Sequence, residues 1–145
     1  MAIRILLADK HEVIRRGVRH LLALEPDLEV VGEAEDGRET LKQVQDLRPE
    51  VVIMDISMVD MTGAEATRRI LELDPSVKVI AFSIHSDSLF VLNMLNSGAA
   101  GFLLKDCALE ELVHAIRAVV NQRTYLSPGV SDSGWLFKVS GPEMK

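Results

Sequence analysis

Four apolar runs in this chain each stop on a side chain that can do chemistry. Ile3-Arg4-Ile5-Leu6-Leu7-Ala8 stops at Asp9 and Val51-Val52-Ile53-Met54 at Asp55. Val77-Lys78-Val79-Ile80-Ala81-Phe82 stops at Ser83, and Phe102-Leu103-Leu104 at Lys105. The stretch from Val51 to Asp55 is unbroken apolar sequence, as expected of a central parallel strand covered on both faces. If the four runs are neighbouring parallel strands, the carboxyl edge of the sheet gathers two carboxylates, a hydroxyl and an ammonium into one shallow pocket. That is the edge at which open α/β sheets bind ligands. An ammonium and a hydroxyl beside an acceptor carboxylate suit phosphoryl chemistry, because the transferred group is an anion that must be positioned and neutralised. Lys10 directly follows Asp9 and sets this pocket apart.

Helical patterns alternate with the runs. His11 to Glu25 places Val13, Ile14, Val18, Leu21 and Leu22 on one face and is closed by Pro26. Leu28 to Glu35 reads as a second strand. Gly37 to Leu47 is helical on the stripe Leu41, Val44 and Leu47, with Pro49 marking its end. Ile56 to Thr62 is a loop, and Gly63 to Leu73 a helix with Ile70 and Leu73 facing inward. Asp87 to Ser97 is a weaker helix ending at Gly98, and Leu109 to Gln122 a strong one built on Leu112, Ile116, Val119 and Val120. This βαβ rhythm predicts a parallel sheet with right-handed crossovers and helices on both faces. From about Ser127 the composition turns to Pro128-Gly129, Ser131-Asp132-Ser133-Gly134 and Gly141-Pro142, which reads as linker or tail. The apolar clump Trp135, Leu136, Phe137 and Val139 inside it is either a remnant or a segment that docks on a groove.

The 145 residues fit one domain with a single core. A net charge of -6 argues against a general basic surface for nucleic acid. Cys107 is the sole cysteine, so an internal disulfide is impossible; it reads as a small apolar filler, and a reducing cytosol is the simplest home. There is no basic-then-apolar leader and no apolar run near the roughly 18 residues of a membrane span. The expected location is cytoplasmic, with no membrane partner.

In order and spacing, several segments together resemble the receiver domain of two-component response regulators, most closely those of the LuxR/NarL-type transcription factors. They are Ile5-Leu6-Leu7-Ala8-Asp9, His11-Glu12-Val13-Ile14-Arg15-Arg16-Gly17, Val31-Gly32-Glu33-Ala34, Met54-Asp55-Ile56-Ser57-Met58, Gly98 to Asp106, and Thr124-Tyr125-Leu126-Ser127-Pro128. The resemblance implies a flavodoxin-like (CheY-like) doubly wound sheet of five parallel strands in the order 2-1-3-4-5. It implies a receiver over residues 1–126 and a linker or tail over 127–145, without a DNA-binding domain. Asp55 then matches the phosphoacceptor; its plain alternative is a strand-end cap. Lys105 matches the lysine that contacts the phosphoryl group, or else is a solvated strand-end lysine. Ser83 matches the hydroxyl that holds a phosphoryl oxygen, or is a turn residue. Phe102 matches the aromatic whose rotamer follows activation, or is a plain core residue. Asp9 matches one of the acids that bind Mg²⁺, and Ser57 the position whose backbone carbonyl is a metal ligand.

Lys10 departs from the family pattern, which normally has there the second of two adjacent acids and the direct metal ligand. A hard dication wants oxygen ligands, and lysine supplies only donors. Asp9 and Asp55 against Lys10 and Lys105 sum to zero formal charge, so Mg²⁺ binding is expected to be weakened. Three outcomes stay open. Lys10 partly replaces Mg²⁺ as counter-charge while Asp55 still takes phosphate; it contacts Asp55 and mimics the phosphorylated state in a pseudo-receiver; or it points to solvent and merely removes a ligand. Val59 stands where the family usually has proline and Thr62 where it often has asparagine, which leaves that loop less rigid.

Other classes fit less well. Hydrolases with an aspartyl nucleophile typically carry a second acid two residues on, where this chain has Ser57. Asp9-Lys10-His11-Glu12 lacks the Ser, Thr and Gly of a flavin phosphate loop. No Walker-type loop or Cys/His metal spacing occurs, and His11, His20, His85 and His114 are scattered, with His11 and His85 read as rim residues. The expectation is therefore a signalling domain rather than an enzyme, limited to self-phosphorylation and autodephosphorylation. Its partners would be a histidine kinase and a second copy, as a homodimer, with DNA reached only through an output domain. Candidate dimer surfaces are the outer faces of the first and last helices, including Arg117 and Arg123.

Overall fold

The computed structural model describes residues 2–84, 87–106 and 109–127. Along the chain run β1 (Ile3–Ala8), α1 (Glu12–Leu22), β2 (Leu28–Ala34), α2 (Gly37–Leu47), β3 (Val51–Met54), α3 (Gly63–Leu73), β4 (Lys78–Ser83), α4 (Ser88–Asn96), β5 (Gly101–Leu104), α5 (Leu109–Val120) and β6 (Tyr125–Leu126). The strands form one parallel sheet in the order β2-β1-β3-β4-β5-β6. The expected five-stranded order is present, extended at one edge by β6. Cys107 and His85, like the Pro-, Gly- and Trp-containing segment 128–145, lie outside the described residues.

Alternation along each strand divides the core. Leu6, Ala8, Val52, Met54, Val79, Ala81 and Phe102 pack with Val44, Ala66, Ile70, Val91 and Met94 beneath α2, α3 and α4. Ile5, Leu7, Val51, Ile53, Ile80, Phe82 and Leu103 pack with Val18, Leu22, Leu112, Ile116 and Val119 beneath α1 and α5. With both faces covered, neither set of side chains needs to be polar, which explains the continuous apolar runs. At their carboxyl ends β1, β3, β4 and β5 give way to Asp9, Asp55, Ser83 and Lys105.

Three readings of the sequence change. Val13 is 77% exposed rather than inward. The buried stripe of α1 runs through Arg15, Val18 and Leu22, and at about 100° per residue Val13 sits on the opposite side of the helix. Leu73 ends α3 one turn past Ile70 and lines a surface groove with Gln45, Arg48 and Pro75 instead of the core. Arg117 is engaged within the chain, its Nη2 lying 2.7 Å from Glu25 and 2.8 Å from Asp27. This fork clamps α5 onto the turn between α1 and β2. It holds the Asp27 carboxyl below the usual carboxylate range, so Arg117 is not a free group for a two-fold contact.

β6 lies parallel to β5, with Tyr125 opposite Gly101 and Leu126 opposite Phe102, and the Ser127 amide donates to the Phe102 carbonyl at 2.9 Å. A two-residue strand has no periodicity for a pattern to detect.

The loop that carries the β3 edge residue is fixed by two contacts. Asp60 accepts from the amides of Gly37 and Arg38 at 2.8 and 2.9 Å, tying the loop to the start of α2. Thr62 caps α3 by accepting from the Glu65 amide at 3.1 Å. Beside it, a Cβ on Gly63 would sit 2.7 Å from the Ile56 Cα, a backbone atom that cannot step aside. Gly63→Ala is therefore expected to lower unfolding free energy by about 2 kcal/mol, read as a drop in urea midpoint at unchanged slope. An unchanged midpoint would show that the loop has room to relax.

Candidate functional site

The ladder hydrogen bonds of the sheet continue one residue past the strands and set the site in a row. The Asp9 amide donates to Ala34 O at 3.0 Å, the Asp55 amide to Ala8 O at 2.8 Å, and the Lys105 amide to Ser83 O at 2.7 Å. Asp9, Asp55, Ser83 and Lys105 are thus carried by adjacent parallel strands at one edge. Arg15, buried on α1, braces this edge: its Nη1 donates to the Asp9 carbonyl, and its Nε donates to Glu33 on β2 at 2.9 Å.

The Lys105 side chain reaches back across the edge. Its Nζ is 2.8 Å from Asp9 Oδ2 and 3.5 Å from Asp55 Oδ2, and all three side chains are more than nine-tenths buried. The ammonium also lies 5.9 Å from the centre of the Phe82 ring. At an effective dielectric near 20 the two attractions amount to about 6 and 5 kcal/mol, and they oppose the mutual repulsion of the two carboxylates. Lys105 therefore decides whether two carboxylates can share this space. The contact with Asp9 is a close ion pair between two buried groups.

The other carboxylate oxygens are held by the local backbone. Asp55 Oδ1 accepts from the Ser57 amide at 3.1 Å, which folds the chain back and brings Ser57 beside Asp55. Asp9 Oδ1 accepts from the His11 amide at 2.8 Å, and His11 Nδ1 lies 3.2 Å from the same oxygen. His11, read from the sequence as a rim residue, is exposed at the rim beside Asp9, and one of its ring nitrogens lies within 4.8 Å of carboxylate oxygens of Asp9 and Asp55. The signal that points to it is the carboxylate turn Asp9-Lys10-His11, in which the side chain of one residue captures the amide two residues on.

Ser83 is fully buried at the end of β4. Phe102 is fully buried one layer down, among the residues beneath α3 and α4, outside the pocket itself. Lys10 is exposed, and among the described residues it makes no hydrogen bond or ion pair. The Lys10–Asp55 contact that would mimic phosphorylation is not seen. Hydration favours an exposed ammonium, and Lys105 already neutralises the carboxylates, so nothing repays drawing a second ammonium inward. The buried part of the pocket is two acids against one lysine, formally -1, with Lys10 screened by solvent.

Replacing Lys105 by methionine keeps most of its volume and leaves two buried carboxylates face to face. Lys105→Met is expected to cost about 3 kcal/mol at pH 7 by denaturant unfolding, and adding Asp55→Asn is expected to restore most of it. Equal stability of Lys105→Met and wild type would contradict this balance of charges.

The architecture and pocket have counterparts among known proteins. The response regulator receiver domain family matches residues 5–117. The transcriptional regulatory protein DegU of Brevibacillus brevis is 40% identical over 129 residues, covering 89% of this chain and 55% of the relative. The response regulator GacA of Pseudomonas viridiflava is 40% identical over 129 residues, covering 89% of this chain and 60% of the relative. The chain thus spans little more than half the length of these relatives. A crystal structure of a LuxR-family two-component response regulator from Aurantimonas sp. SI85-9A1 superimposes with a TM-score of 0.88 at 31% identity, covering 100% of both chains. Family match, sequence relatives and fold agree, and the chain belongs to the response regulator receiver domain family.

Proposed function

We propose that Asp55 is the residue of this receiver domain that accepts a phosphoryl group, from the phosphohistidine of a histidine kinase in a phosphorelay. The observation that carries this reading is the Lys105 ammonium lying 2.8 and 3.5 Å from two buried carboxylates at the carboxyl edge of the sheet. In the transfer an Asp55 carboxylate oxygen attacks phosphorus, the phosphorus–nitrogen bond to the donor breaks, and the pair of electrons stays on the imidazole. Ser57, whose amide already holds Asp55 Oδ1, fixes the carboxylate orientation and leaves Oδ2 on the Lys105 side. The added group brings negative charge, and Lys105 follows it because a phosphoryl oxygen is a richer acceptor than the Asp9 carboxylate. Ser83, at the neighbouring strand end, supplies a hydroxyl to a phosphoryl oxygen, and Phe102 beneath the sheet repacks in response.

Two buried carboxylates, Asp9 and Asp55, with ligand oxygens within 4.8 Å of one another and only one lysine between them, fit a divalent cation. Asp9, Asp55 and the Ser57 carbonyl are the residues that would hold Mg²⁺, which neutralises charge on the transferred group when bound. Lys10 weakens that binding by replacing an oxygen ligand with an ammonium. Transfer is then expected to be slow rather than absent, since positioning and the Lys105 charge remain.

In the longer regulators that this chain resembles, the phosphorylated receiver would favour a homodimer and so switch an output domain that binds DNA. The receiver itself acts as a signalling domain in the cytoplasm. Among the described residues no helix is long and apolar enough to cross a membrane.

Incubation with acetyl phosphate and Mg²⁺, followed by intact mass, is expected to add one phosphoryl group. Asp55→Asn is expected to abolish the addition, and Lys10→Asp to speed it by about tenfold or more. Labelling that persists in Asp55→Asn, or no labelling of wild type and Lys10→Asp alike, would overturn the reading.

A further inference from the structure

We infer that Asp60 is a positioning residue for Asp55: by gripping the first turn of α2 it holds the loop between β3 and α3, and with it the Asp55 carboxylate, in the geometry that phosphoryl transfer needs. This role deepens the phosphoacceptor reading and rests on it for the reaction that Asp60 serves.

Both carboxylate oxygens of Asp60 are engaged. Oδ1 accepts from the Gly37 amide at 2.8 Å and Oδ2 from the Arg38 amide at 2.9 Å. The cap that α2 carries itself serves a different amide, the Asp36 side chain accepting from Glu39 at 2.8 Å. Gly37 and Arg38 stand in the first turn, where amides have no partner within the helix. A carboxylate is the acceptor that this positive end of a helix favours. Two bonds from two oxygens fix the direction of the Asp60 side chain as well as its distance. Beside it, Met61 lies so close to Gly37 that a Cβ there would sit 2.7 Å from the sulfur. The middle of the loop is therefore seated on α2.

The loop needs that seat. Val59 is 83% exposed, and among the described residues its amide donates no hydrogen bond. Valine leaves φ variable where proline would fix it, so the backbone carries no restraint of its own at this point. Nearer the sheet, the Ser57 amide donates to Asp55 Oδ1 at 3.1 Å and so sets how the carboxylate is turned. At the far end the Gly63 amide donates to the Ile56 carbonyl at 3.1 Å, and Thr62 caps α3. These contacts close the two ends of the loop, and Asp60 anchors the stretch between them. A shift there is passed along the short chain to Ser57, and misplacing a reacting group by about 1 Å can cost on the order of a hundredfold in rate. In the plain alternative Asp60 only completes the first turn of α2, and its loss lowers stability without touching Asp55.

Timed acetyl-phosphate labelling and amide hydrogen exchange of the whole chain separate the two. Asp60→Ala is expected to slow labelling of Asp55 by about tenfold. It is also expected to speed exchange of the Ser57 amide by about tenfold more than that of the core amide of Ile53. Adding Val59→Pro to Asp60→Ala is expected to bring labelling back to within about threefold of wild type, because proline restrains the loop by another route. Asp36→Ala, which removes the α2 cap and leaves the loop seated, is expected to lower stability and to keep the labelling rate within about twofold. Labelling unchanged in Asp60→Ala, or slowed as much by Asp36→Ala, assigns Asp60 to the helix alone and overturns the inference. So does a double variant that stays slow although Val59→Pro alone labels as wild type does. If wild type takes no phosphoryl group, the phosphoacceptor reading fails and the Ser57 amide decides the anchor by itself. Faster exchange there than at Ile53 in Asp60→Ala upholds the anchor, and exchange matching Ile53 sinks it.

Discussion

One ammonium lets two carboxylates share the carboxyl edge of this sheet. Lys105 lies at the start of the turn after β5, yet its long side chain crosses β4 to reach acids carried by β1 and β3. Only a parallel sheet brings these residues together, because each strand delivers its final residue to the same edge. The cost of burying the charges is offset mutually, and each partner depends on the others for its place. A pocket of this kind is responsive by construction. An anion added to Asp55 competes with Asp9 for the same ammonium, so chemistry at one carboxylate must alter what Lys105 touches.

The rest of the molecule holds that edge in register. Arg15 ties the Asp9 carbonyl to Glu33 on β2, Asp60 ties the β3 loop to α2, and Arg117 ties α5 to the turn before β2. On the far side β6 pairs with β5 opposite Phe102, and the Ser127 amide donates to the Phe102 carbonyl. Lys10 stands outside this network. Exposed to solvent, it adds no buried charge to the pocket.

Much of this could be read from the chain because burial on both faces leaves a plain signature. β3 needed only four consecutive apolar residues, and the observed bounds of α2 coincide with its apolar stripe and the nearby Pro49. Asp9, Asp55, Ser83 and Lys105 were legible as the first polar residues after buried strands. The misses have a different physical origin. Val13 is apolar but lies off the buried stripe of α1, and hydrophobicity alone does not give phase. β6 is too short to show a period and depends on the closeness that Gly101 permits, since a Cβ there would meet the Tyr125 carbonyl at 3.0 Å. The Asp9 side chain fixes rim residue His11 through a local turn, and Lys10 stays in solvent through a balance of hydration against charge. Neither depends on a repeating pattern.

The account turns on Asp55 and Lys105 forming one anion-accepting unit. A crystal structure of the chain treated with beryllium and fluoride, which together mimic a phosphoryl group on a carboxylate, tests this most directly. The account predicts a beryllofluoride group on Asp55, with the Lys105 ammonium drawn from Asp9 to a fluorine and the Ser83 hydroxyl turned to another. Beryllofluoride absent from Asp55, or present there with Lys105 still seated on Asp9, would contradict it.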